Sequence, residues 1–478
     1  MSNDSHAQAT LASLPEGKRA VVCAISGHGA YRRRLLEMGL IPGTTVQMVR
    51  TAPLGDPIEV RLRGFSLSLR RKDAAQVHTS SAAIVNTAAT TENGQFNLHS
   101  VKAPQSQSTE KKRILLVGNP NSGKTTLFNR LSGKRSKVGN YPGVTVEKKS
   151  AELTLSSSEK VELIDLPGTY SLRANSPEER VAVDAVLGRK TPAPDLVVMV
   201  ADATSLSRNL YLATQLAESP TPLLIALNMW DEKESLGLDI NLESLQKGLG
   251  VCCVPISATS GQGLDELRAQ MQRMLTQNES RSVLCARYDA RIEEVLGQVE
   301  NEIPEAWHHG SAARKRLWAS WALLSIGEDE LHEVPDSLRS TIRDLCEEHK
   351  KDPSPMDQDM IRERYAFIDN LLRQCAQGTL PIARRELQDR LDRFLLQPVI
   401  GTLVFLTLVF ILFQSLFLWV EPAISAIETS ISFLQNLVQN TVPSGSFQDL
   451  IVNGVLAGVG NVIAFVPQIA LLFFMISA

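Results

Sequence analysis

The stretch Gly118-Asn119-Pro120-Asn121-Ser122-Gly123-Lys124-Thr125 decides the fold of this chain. It fits the pattern G-x-x-x-x-G-K-[ST], a glycine-rich loop whose backbone N–H groups hold phosphate oxygens. The apolar run Ile114–Val117 precedes it as a buried strand would, and Thr126–Leu131 follows as a helix start would. In such a loop Lys124 contacts the β- and γ-phosphates of a nucleotide, and the Thr125 hydroxyl binds Mg²⁺. The sequence therefore predicts a nucleotide-binding α/β domain.

A second motif, Asp165-Leu166-Pro167-Gly168, follows another apolar strand pattern. Asp165 can hold Mg²⁺ through a water molecule, and the Gly168 amide can contact the γ-phosphate. Between the two motifs lies Gly143-Val144-Thr145-Val146-Glu147. We expect Thr145 to close over the γ-phosphate and Mg²⁺ as a first switch.

Two further motifs predict which base is bound. Asn228-Met229-Trp230-Asp231 follows the apolar run Leu223–Leu227. The Asp231 carboxylate can accept hydrogen bonds from N1–H and the 2-amino group of guanine, which adenine lacks, so the site favours GTP over ATP. Ser257-Ala258-Thr259 follows the strand pattern Val251–Ile256 and would supply a backbone amide to the guanine O6. The order of these motifs predicts a GTP-binding domain.

The nucleotide-binding residues predicted from these motifs share positions at strand ends and in switch loops. They are Gly118, Asn119, Pro120, Asn121, Ser122, Gly123, Lys124, Thr125, Thr126, Gly143, Val144, Thr145, Asp165, Gly168, Asn228, Met229, Asp231, Ser257 and Ala258. Among them, Mg²⁺ is expected on Thr125, Thr145 and Asp165.

Composition sets wider bounds. The chain of 478 residues is long enough for two to four domains, and its net charge of -3 argues against broad electrostatic attraction to nucleic acid. The N-terminus Met1–Thr10 is polar and shows no secretory signal. The spacing of the cysteines is not that of metal ligands, so we expect them to be small residues of the protein core. We also expect the soluble part to lie in the reducing cytoplasm. The cysteines are Cys23, Cys252, Cys253, Cys285, Cys346 and Cys375.

The C-terminal part carries a membrane signal, because no Lys, Arg or His follows Arg393. Residues 399–420 are almost all apolar and would rise about 33 Å as a helix, enough to cross a hydrocarbon core. A buried helix of a soluble domain is the alternative. The preceding cluster of Arg384, Arg385, Arg390 and Arg393 places the N-terminal side in the cytoplasm by the positive-inside rule.

Two more apolar segments follow. Ala423–Val442 carries several polar side chains and is interpreted as an interfacial helix. Residues 451–476 predict a second span, which is interrupted by glycines and by Pro467. Broken helices of this kind are typical of transporters, where they lie near the path of the substrate. Alternatively, the small residues allow neighbouring helices to pack closely, which explains the pattern equally well.

The front of the chain shows short strand patterns separated by turn signals, which predicts a small β-barrel. The patterns are Arg19–Ala24, Thr45–Thr51, Pro57–Leu62 and Ser66–Arg70, with a helix at Ala30–Met38. Its basic residues favour a protein contact or a solvated surface over RNA, since no set of aromatic side chains is interleaved with them. Between the predicted GTP-binding domain and the membrane, helical periodicity indicates either helices that couple the nucleotide state to the membrane or a solvated spacer.

These patterns divide the chain into five parts. They are a β-barrel at residues 11–78, a flexible linker at 79–112, a GTPase domain at 113–277, a helical domain at 278–380, and a membrane part at 381–478 with spans at about 399–420 and 451–476. The fold class is therefore multidomain: a small β-barrel, an α/β P-loop GTPase domain, an α-helical domain and α-helical transmembrane segments.

The motifs carry a resemblance to a known family. Gly118–Thr125, Gly143–Glu147, Asp165–Gly168 and Asn228–Asp231 resemble the G domain of the ferrous iron transport protein B family, FeoB. Gln397–Gly401 and Gly458–Gln468 are similar to later signatures of that family. The front unit, with Leu36–Gly43 and Ala52–Pro57, resembles FeoA, the small SH3-like partner of FeoB. The chain thus resembles a FeoA–FeoB fusion.

The resemblance implies Fe²⁺ uptake across a bacterial inner membrane, with the N-terminal domains in the cytoplasm and a helical, GDI-like domain that steadies GDP. It implies potassium-stimulated GTP hydrolysis, with Asn121 matching the asparagine that binds K⁺, so Lys124, Asn121 and Thr145 are predicted to act in hydrolysis. A K⁺ there would place positive charge near the β/γ bridge. Thr169, not Gln, follows Gly168, which predicts slow intrinsic hydrolysis.

Chains of this family continue through more spans, whereas this sequence stops at Ser477-Ala478, so a fragment or a truncated gene is expected. The expected partners are GTP and GDP, the lipid bilayer, and Fe²⁺ as the transported ion. A homo-oligomer is left open, and nucleic acid is not expected. The alternative function is a membrane-anchored regulatory or assembly GTPase without transport activity.

Overall fold

The structure, a computed structural model, forms two compact units, Met1–Glu386 and Leu387–Ala478. It describes residues 9–27, 30–52, 55–81, 95–101, 111–133, 136–140, 146–155, 160–174, 176–189, 192–235, 238–276, 281–325, 334–349, 355–375, 398–418, 420–443 and 445–477.

The strands are β1 (Ala9–Thr10), β2 (Arg19–Ile25), β3 (Thr45–Thr51), β4 (Ile58–Leu62), β5 (Phe65–Leu69), β6 (Val77–Ser81), β7 (Gln95–Val101), β8 (Arg113–Gly118), β9 (Ser136–Asn140), β10 (Glu147–Thr154), β11 (Lys160–Asp165), β12 (Leu196–Asp202), β13 (Leu223–Asn228), β14 (Cys252–Pro255) and β15 (Arg281–Arg287). The helices of the first unit are α1 (Ala30–Glu37), α2 (Arg71–Ala74), α3 (Lys124–Ser132), α4 (Pro177–Leu187), α5 (Leu206–Ala217), α6 (Trp230–Ser235), α7 (Leu242–Leu249), α8 (Leu264–Thr276), α9 (Ala290–Glu302), α10 (Glu305–His308), α11 (Ala312–Leu324), α12 (Asp336–Glu348) and α13 (Met356–Cys375).

Residues 9–81 form the N-terminal β-domain, an antiparallel sheet with strand order β1-β6-β2-β3-β4-β5. Buried and more exposed side chains alternate along β4 and β5, as a sheet with one covered face requires. The predicted strands and helix match the observed ones within one residue at each end. This sheet confirms the prediction of a β-sheet domain at the front of the chain, and the finer prediction of a barrel stays a prediction.

The next strand corrects the predicted linker. β7 pairs in antiparallel register with β15, from Gln95 opposite Arg287 to Val101 opposite Arg281. The Phe96 ring stacks on Phe367 with centroids 4.5 Å apart, and the Phe96–Tyr288 centroid distance is 6.5 Å. The prediction of a flexible linker is therefore wrong for residues 95–101. The predicted helical domain likewise begins with a strand, because β15 needs β7 as its partner.

Residues 113–276 form the central α/β domain, built on a sheet of order β14-β13-β12-β8-β11-β10-β9. Strands β8 and β11 to β14 pair in parallel, and β9 and β10 add an antiparallel edge. The apolar run in β8 divides between the two faces: Ile114 and Leu116 pack in the core with α3 and α8, and Leu115 and Val117 pack in the core with α5. Helices cover both faces, which explains why the strand is apolar throughout.

Helices α9 to α13 form the helical domain together with β15, and the coarse prediction of a helical region is confirmed. Trp318 is 1% exposed, and its ring lies 4.6 Å from that of Trp307 and 5.3 Å from that of Trp321. These tryptophans pack in or against the core, as predicted. The Arg364 guanidinium of α13 pairs with Glu218 at 2.6 Å, so a buried ion pair joins the helical domain to the central domain.

The second unit consists of helices α14 (Pro398–Leu418), α15 (Glu421–Thr441), α16 (Ser446–Asp449), α17 (Ala457–Ala464) and α18 (Val466–Ser477), with a π-helical stretch at Leu450–Leu456. Within the described residues, Ser446–Phe473 is long and apolar enough to cross a membrane by length and composition, and Val399–Gln414 is a shorter apolar helix. The two predicted spans therefore stay predictions. The arginine cluster at residues 384–393 lies outside the described residues.

The β7–β15 pair predicts a measurable change when its aromatic contact is removed. We expect Phe96→Ala to destabilise this sheet by about 2 kcal/mol, less than the roughly 3–5 kcal/mol of a fully buried phenylalanine, because Phe96 is only partly buried. Amide hydrogen exchange in Arg281–Arg287 of the full chain should then become roughly 30-fold faster. Leu98→Ala is the control, because the Leu98 side chain is 42% exposed. Equal exchange rates in both variants would contradict the pairing.

Candidate nucleotide-binding site

The phosphate loop joins the end of β8 to the start of α3. Asn121 and Gly123 both adopt left-handed φ angles, +66° and +82°. A Cβ on Gly123 would lie 2.1 Å from Asn228 Nδ2, and one on Gly118 would lie 2.4 Å from the Val200 carbonyl oxygen. Only glycine fits at these two positions. The loop therefore turns tightly around the N-terminus of α3, where free backbone N–H groups attract an anion.

The charged groups of the loop meet at the end of β11. Lys124 Nζ lies 2.6 Å from Asp165 Oδ1, and both side chains are buried. The Thr125 hydroxyl donates to Asp165 Oδ2 at 3.2 Å. These two oxygens would hold Mg²⁺ together with phosphate and water, Thr125 directly and Asp165 through a water molecule. The structure thus brings together three of the residues predicted for the phosphate end.

The segment after Asp165 lies directly against the phosphate loop. A Cβ on Gly168 would lie 3.0 Å from Pro120, and the Thr169 amide donates to the Gly118 carbonyl at 3.1 Å. The Thr169 hydroxyl donates to the Ser171 carbonyl at 2.6 Å, and Thr169 is 1% exposed. Its side chain is therefore engaged inside the protein and does not face the phosphate site.

Asn228 connects the phosphate loop to the base loop. Its Nδ2 donates to the Ser122 carbonyl at 2.9 Å, and its Oδ1 accepts from the Ala258 amide at 2.8 Å. Asp231 lies nearby on α6, exposed, with Oδ2 accepting from the Ser257 hydroxyl at 3.0 Å. A serine hydroxyl thus orients the carboxylate that would recognise guanine. The Ala258 amide is already donated to Asn228, so its contact with the guanine O6 stays a prediction.

The remaining predicted residues are placed as follows. Met229 follows Asn228 with a φ of +60°, and Thr126 is the third residue of α3. Asn119 is 3% exposed, and its Nδ2 donates to the Arg208 carbonyl at 3.4 Å. This hydrogen bond joins the phosphate loop to α5. The first switch cannot be placed, because Gly143, Val144 and Thr145 lie outside the described residues.

The cysteines that the structure describes belong to no cluster of metal ligands. In the described part of the chain no group of three or more His, Cys, Asp or Glu side chains could hold a metal ion. Cys253 and Cys375 are buried, as predicted, and burial raises the pKa of the Cys375 thiol to about 11. A thiol with that pKa stays protonated at neutral pH. Cys23 is exposed, so the prediction of a core role is wrong for that residue.

Several residues that the sequence patterns did not mark hold the segment after Gly168. The Gln215 side chain accepts from the Leu172 amide at 2.8 Å, and the Arg208 guanidinium lies 4.3 Å from the Tyr170 ring centroid. Both come from α5, where the helix also buries Asn209. Polar residues on a buried helix are the signal that could have identified them, because buried polar groups need partners.

Comparison with known proteins places these features in a family. Residues 112–271 match the family model of ferrous iron transport protein B, and residues 9–80 match that of the FeoA domain. The Fe(2+) transport protein A/Fe(2+) transporter FeoB fusion protein of Porphyromonas gingivalis is 34% identical over 98% of this chain and 58% of its own length. The Fe(2+) transporter FeoB of Leptospira biflexa is 32% identical over 77% of this chain and 52% of its own length.

Among solved structures, the cytosolic domain of L. pneumophila FeoB covers 56% of this chain and 100% of its own, with 31% identity and a TM-score of 0.49. The chain spans about half the length of the curated relatives that it matches. The phosphate loop, the Asp165–Gly168 motif and the Asn228–Asp231 motif all lie inside the matched residues 112–271. This chain therefore belongs to the ferrous iron transport protein B family and carries a FeoA domain in front of its nucleotide-binding domain.

Proposed function

We propose that this chain binds and hydrolyses GTP and is the nucleotide-dependent part of a ferrous iron uptake protein in a bacterial inner membrane. One observation carries the proposal: Asn228 bonds to the phosphate loop and to the base loop at once, and so holds Lys124 and Asp231 within one pocket. The names of the relatives, Fe(2+) transporter FeoB, support iron as the transported ion.

Each end of the pocket has its own chemistry. Lys124 and the N–H groups at the start of α3 neutralise the phosphates, and the Gly168 amide is close enough to the phosphate loop to contact a γ-phosphate. Thr125 and Asp165 would hold Mg²⁺, and Thr145 would join them if it closes over the site. The metal ion would offset the charge of the phosphate oxygens. Asp231 accepts from guanine while Ser257 fixes its orientation.

Hydrolysis by this pocket alone is expected to be slow. The Thr169 side chain is buried and bonded to Ser171, so it orients no attacking water. Asn121 is exposed at the tip of the phosphate loop, where its side-chain oxygen suits a K⁺ beside the phosphates. A cation at that place would stabilise charge that develops on the β/γ-bridging oxygen.

Changing Asp231 should change the base that is bound. Asp231→Asn replaces two acceptor positions with one acceptor and one donor, which loses the bond to the 2-amino group of guanine. Because hydrogen bonds to a charged group are worth about 1.5–3 kcal/mol each, we expect GTP affinity to fall roughly 100-fold or more. Xanthine has an oxygen in place of that amino group, so XTP affinity should rise. Calorimetry on the full chain measures both, and Glu232→Gln is the matched control. Unchanged GTP affinity in Asp231→Asn would contradict the assignment.

Removing the Asn121 side chain should abolish potassium stimulation. We expect Asn121→Ala to hydrolyse GTP at the same rate in KCl and NaCl, because the side-chain oxygen for K⁺ is gone. Alanine is strained at a φ of +66°, so Asn121→Gly is the companion variant that keeps the loop backbone unstrained. Steady-state phosphate release in both salts is the measurement. The assignment of a K⁺ site to Asn121 is wrong if K⁺ still stimulates GTP hydrolysis in both variants.

Iron transport separates the proposal from a purely regulatory GTPase. In a strain without other ferrous uptake systems, we expect this gene to raise the accumulation of radiolabelled Fe²⁺ and the Asp231→Asn variant to return it to background. An intact GTPase with no uptake would instead favour the membrane-anchored regulatory or assembly function.

A further inference from the structure

The base loop, residues 257–262, is contacted by a charged side chain of α3. The Arg130 guanidinium donates to the Thr259 carbonyl. A Cβ on Gly261 would lie 3.8 Å from Arg130 Nη1, so the guanidinium lies directly beside the loop. Arg130 belongs to the last turn of α3, and its side chain is exposed. The helix that begins at the phosphate loop therefore also contacts the loop predicted to face the base.

The base loop is a tight turn that its own backbone closes. The Ser257 amide donates to the Gln262 carbonyl at 3.0 Å, and the Gly261 amide donates to the Ser257 carbonyl at 2.8 Å. Gly261 has a φ of +93°, which favours glycine at this point of the turn. Because these bonds join the first residue of the turn to its last two, we expect the turn to move as one body. A contact at the Thr259 carbonyl therefore also restrains Ser257.

The Ser257 hydroxyl passes the position of the turn on to Asp231. Its oxygen accepts from the Ser260 amide at 3.2 Å and donates to Asp231 Oδ2 at 3.0 Å. A serine hydroxyl has a single proton, and the Ser260 amide occupies an acceptor position, so the proton is directed at the carboxylate. Ser257 is 2% exposed, so water does not readily replace these partners. The orientation of the Asp231 carboxylate therefore depends on the turn.

Helix α3 supports the base loop at a second point. Asn228 joins the phosphate loop to the Ala258 amide, which is the first point. Arg130 follows Lys124, the first residue of α3, by six residues, a rise of about 9 Å along the helix. A turn held at one point can rotate about that point, whereas a turn held at two points cannot. The contact of Arg130 therefore removes a motion that Asn228 alone would allow.

We propose that Arg130 is a positioning residue that determines how strongly the site selects guanine. Arg130 fixes the base loop through the Thr259 carbonyl, and it acts through the loop and not by contact with the nucleotide. The fixed loop lets Ser257 hold Asp231 toward the N1–H and 2-amino groups of guanine. This inference rests on the proposed GTP binding and deepens it by naming a residue that sets base specificity.

Inosine triphosphate, ITP, tests the inference, because its base lacks the 2-amino group and keeps N1–H and O6. Calorimetry on the full chain measures the GTP and ITP affinities of Arg130→Ala. We expect GTP affinity to fall about tenfold, a modest loss because the removed charged donor is exposed. ITP affinity should fall about threefold or less, because ITP makes no bond from a 2-amino group to Asp231. The ratio of GTP to ITP affinity should therefore fall about threefold or more.

Single-turnover hydrolysis separates positioning of the base from catalysis. Arg130→Ala leaves the side chains at the phosphate end unchanged, so the rate at saturating GTP should stay the same while the GTP concentration for half-maximal rate rises. This pattern is expected when a change weakens substrate and transition state equally.

A double-mutant cycle tests the route through Ser257. In Ser257→Ala the hydroxyl that orients Asp231 is already absent. Adding Arg130→Ala should then lower the ratio of GTP to ITP affinity little further, because residues that act through one contact are not additive.

Arg268 provides the matched control. It lies on α8, which follows the base loop, and its guanidinium pairs with Asp265 on the same helix at 3.6 Å. Arg268→Ala also removes a partly exposed arginine, and it should leave both nucleotide affinities unchanged.

The outcomes distinguish this inference from the proposed function. If the unmodified chain binds neither GTP nor ITP, both proposals are wrong. If it binds GTP and Arg130→Ala leaves both affinities unchanged, or lowers them by the same factor, GTP binding stands and the role of Arg130 is overturned. Full additivity of Arg130→Ala and Ser257→Ala in the affinity ratio would lead to the same conclusion.

Discussion

The side-chain amide of Asn228 fixes the separation between the two ends of the nucleotide pocket. It bonds to a carbonyl in the phosphate loop and to an amide in the base loop, and each bond is buried. The same amide nitrogen is the atom that a Cβ on Gly123 would strike, so the glycine and the asparagine require each other. Because a buried polar group that loses its partner costs free energy, this pair holds the loops in one arrangement. The orientation of Lys124 and the distance to Asp231 depend on it.

Packing connects this pocket to distant parts of the chain. One apolar core contains Leu36 of the β-domain, Leu210 of the central domain and Trp318 of the helical domain. Beside it lies the Arg364–Glu218 ion pair, whose side chains are 2% and 9% exposed. Breaking a buried pair of this kind by removing one partner typically costs about 3–5 kcal/mol. Each of the three domains therefore depends on contacts with the other two for part of its stability.

The parts of the molecule that sequence could predict are those set by local pattern. The run Ile114–Val117 and the glycine spacing after it are sufficient to place a strand, a loop and a helix, because each of these depends on neighbouring residues. The turn signals between short strand patterns predicted the front strands for the same reason. The residues of the phosphate end also met as expected, since parallel strands carry the loops after β8 and β11 to one edge of the sheet.

Contacts between distant segments could not be predicted. β7 has a weak pattern of its own and becomes a strand only through β15, which lies far along the chain. Nothing near Glu37 indicates that its carboxylate meets Ser171, because that contact depends on how two domains pack. The Ala258 amide donates to Asn228, a contact between distant segments that no local pattern marks.

The anchoring of β7 to β15 limits how far the β-domain can move. It attaches the chain to the helical domain partway between the β-domain and the central domain, so that only residues 82–94 separate the β-domain from a fixed point. A chain of that length spans at most about 45 Å even when fully extended, so the β-domain stays within reach of the helical domain whatever its other contacts do.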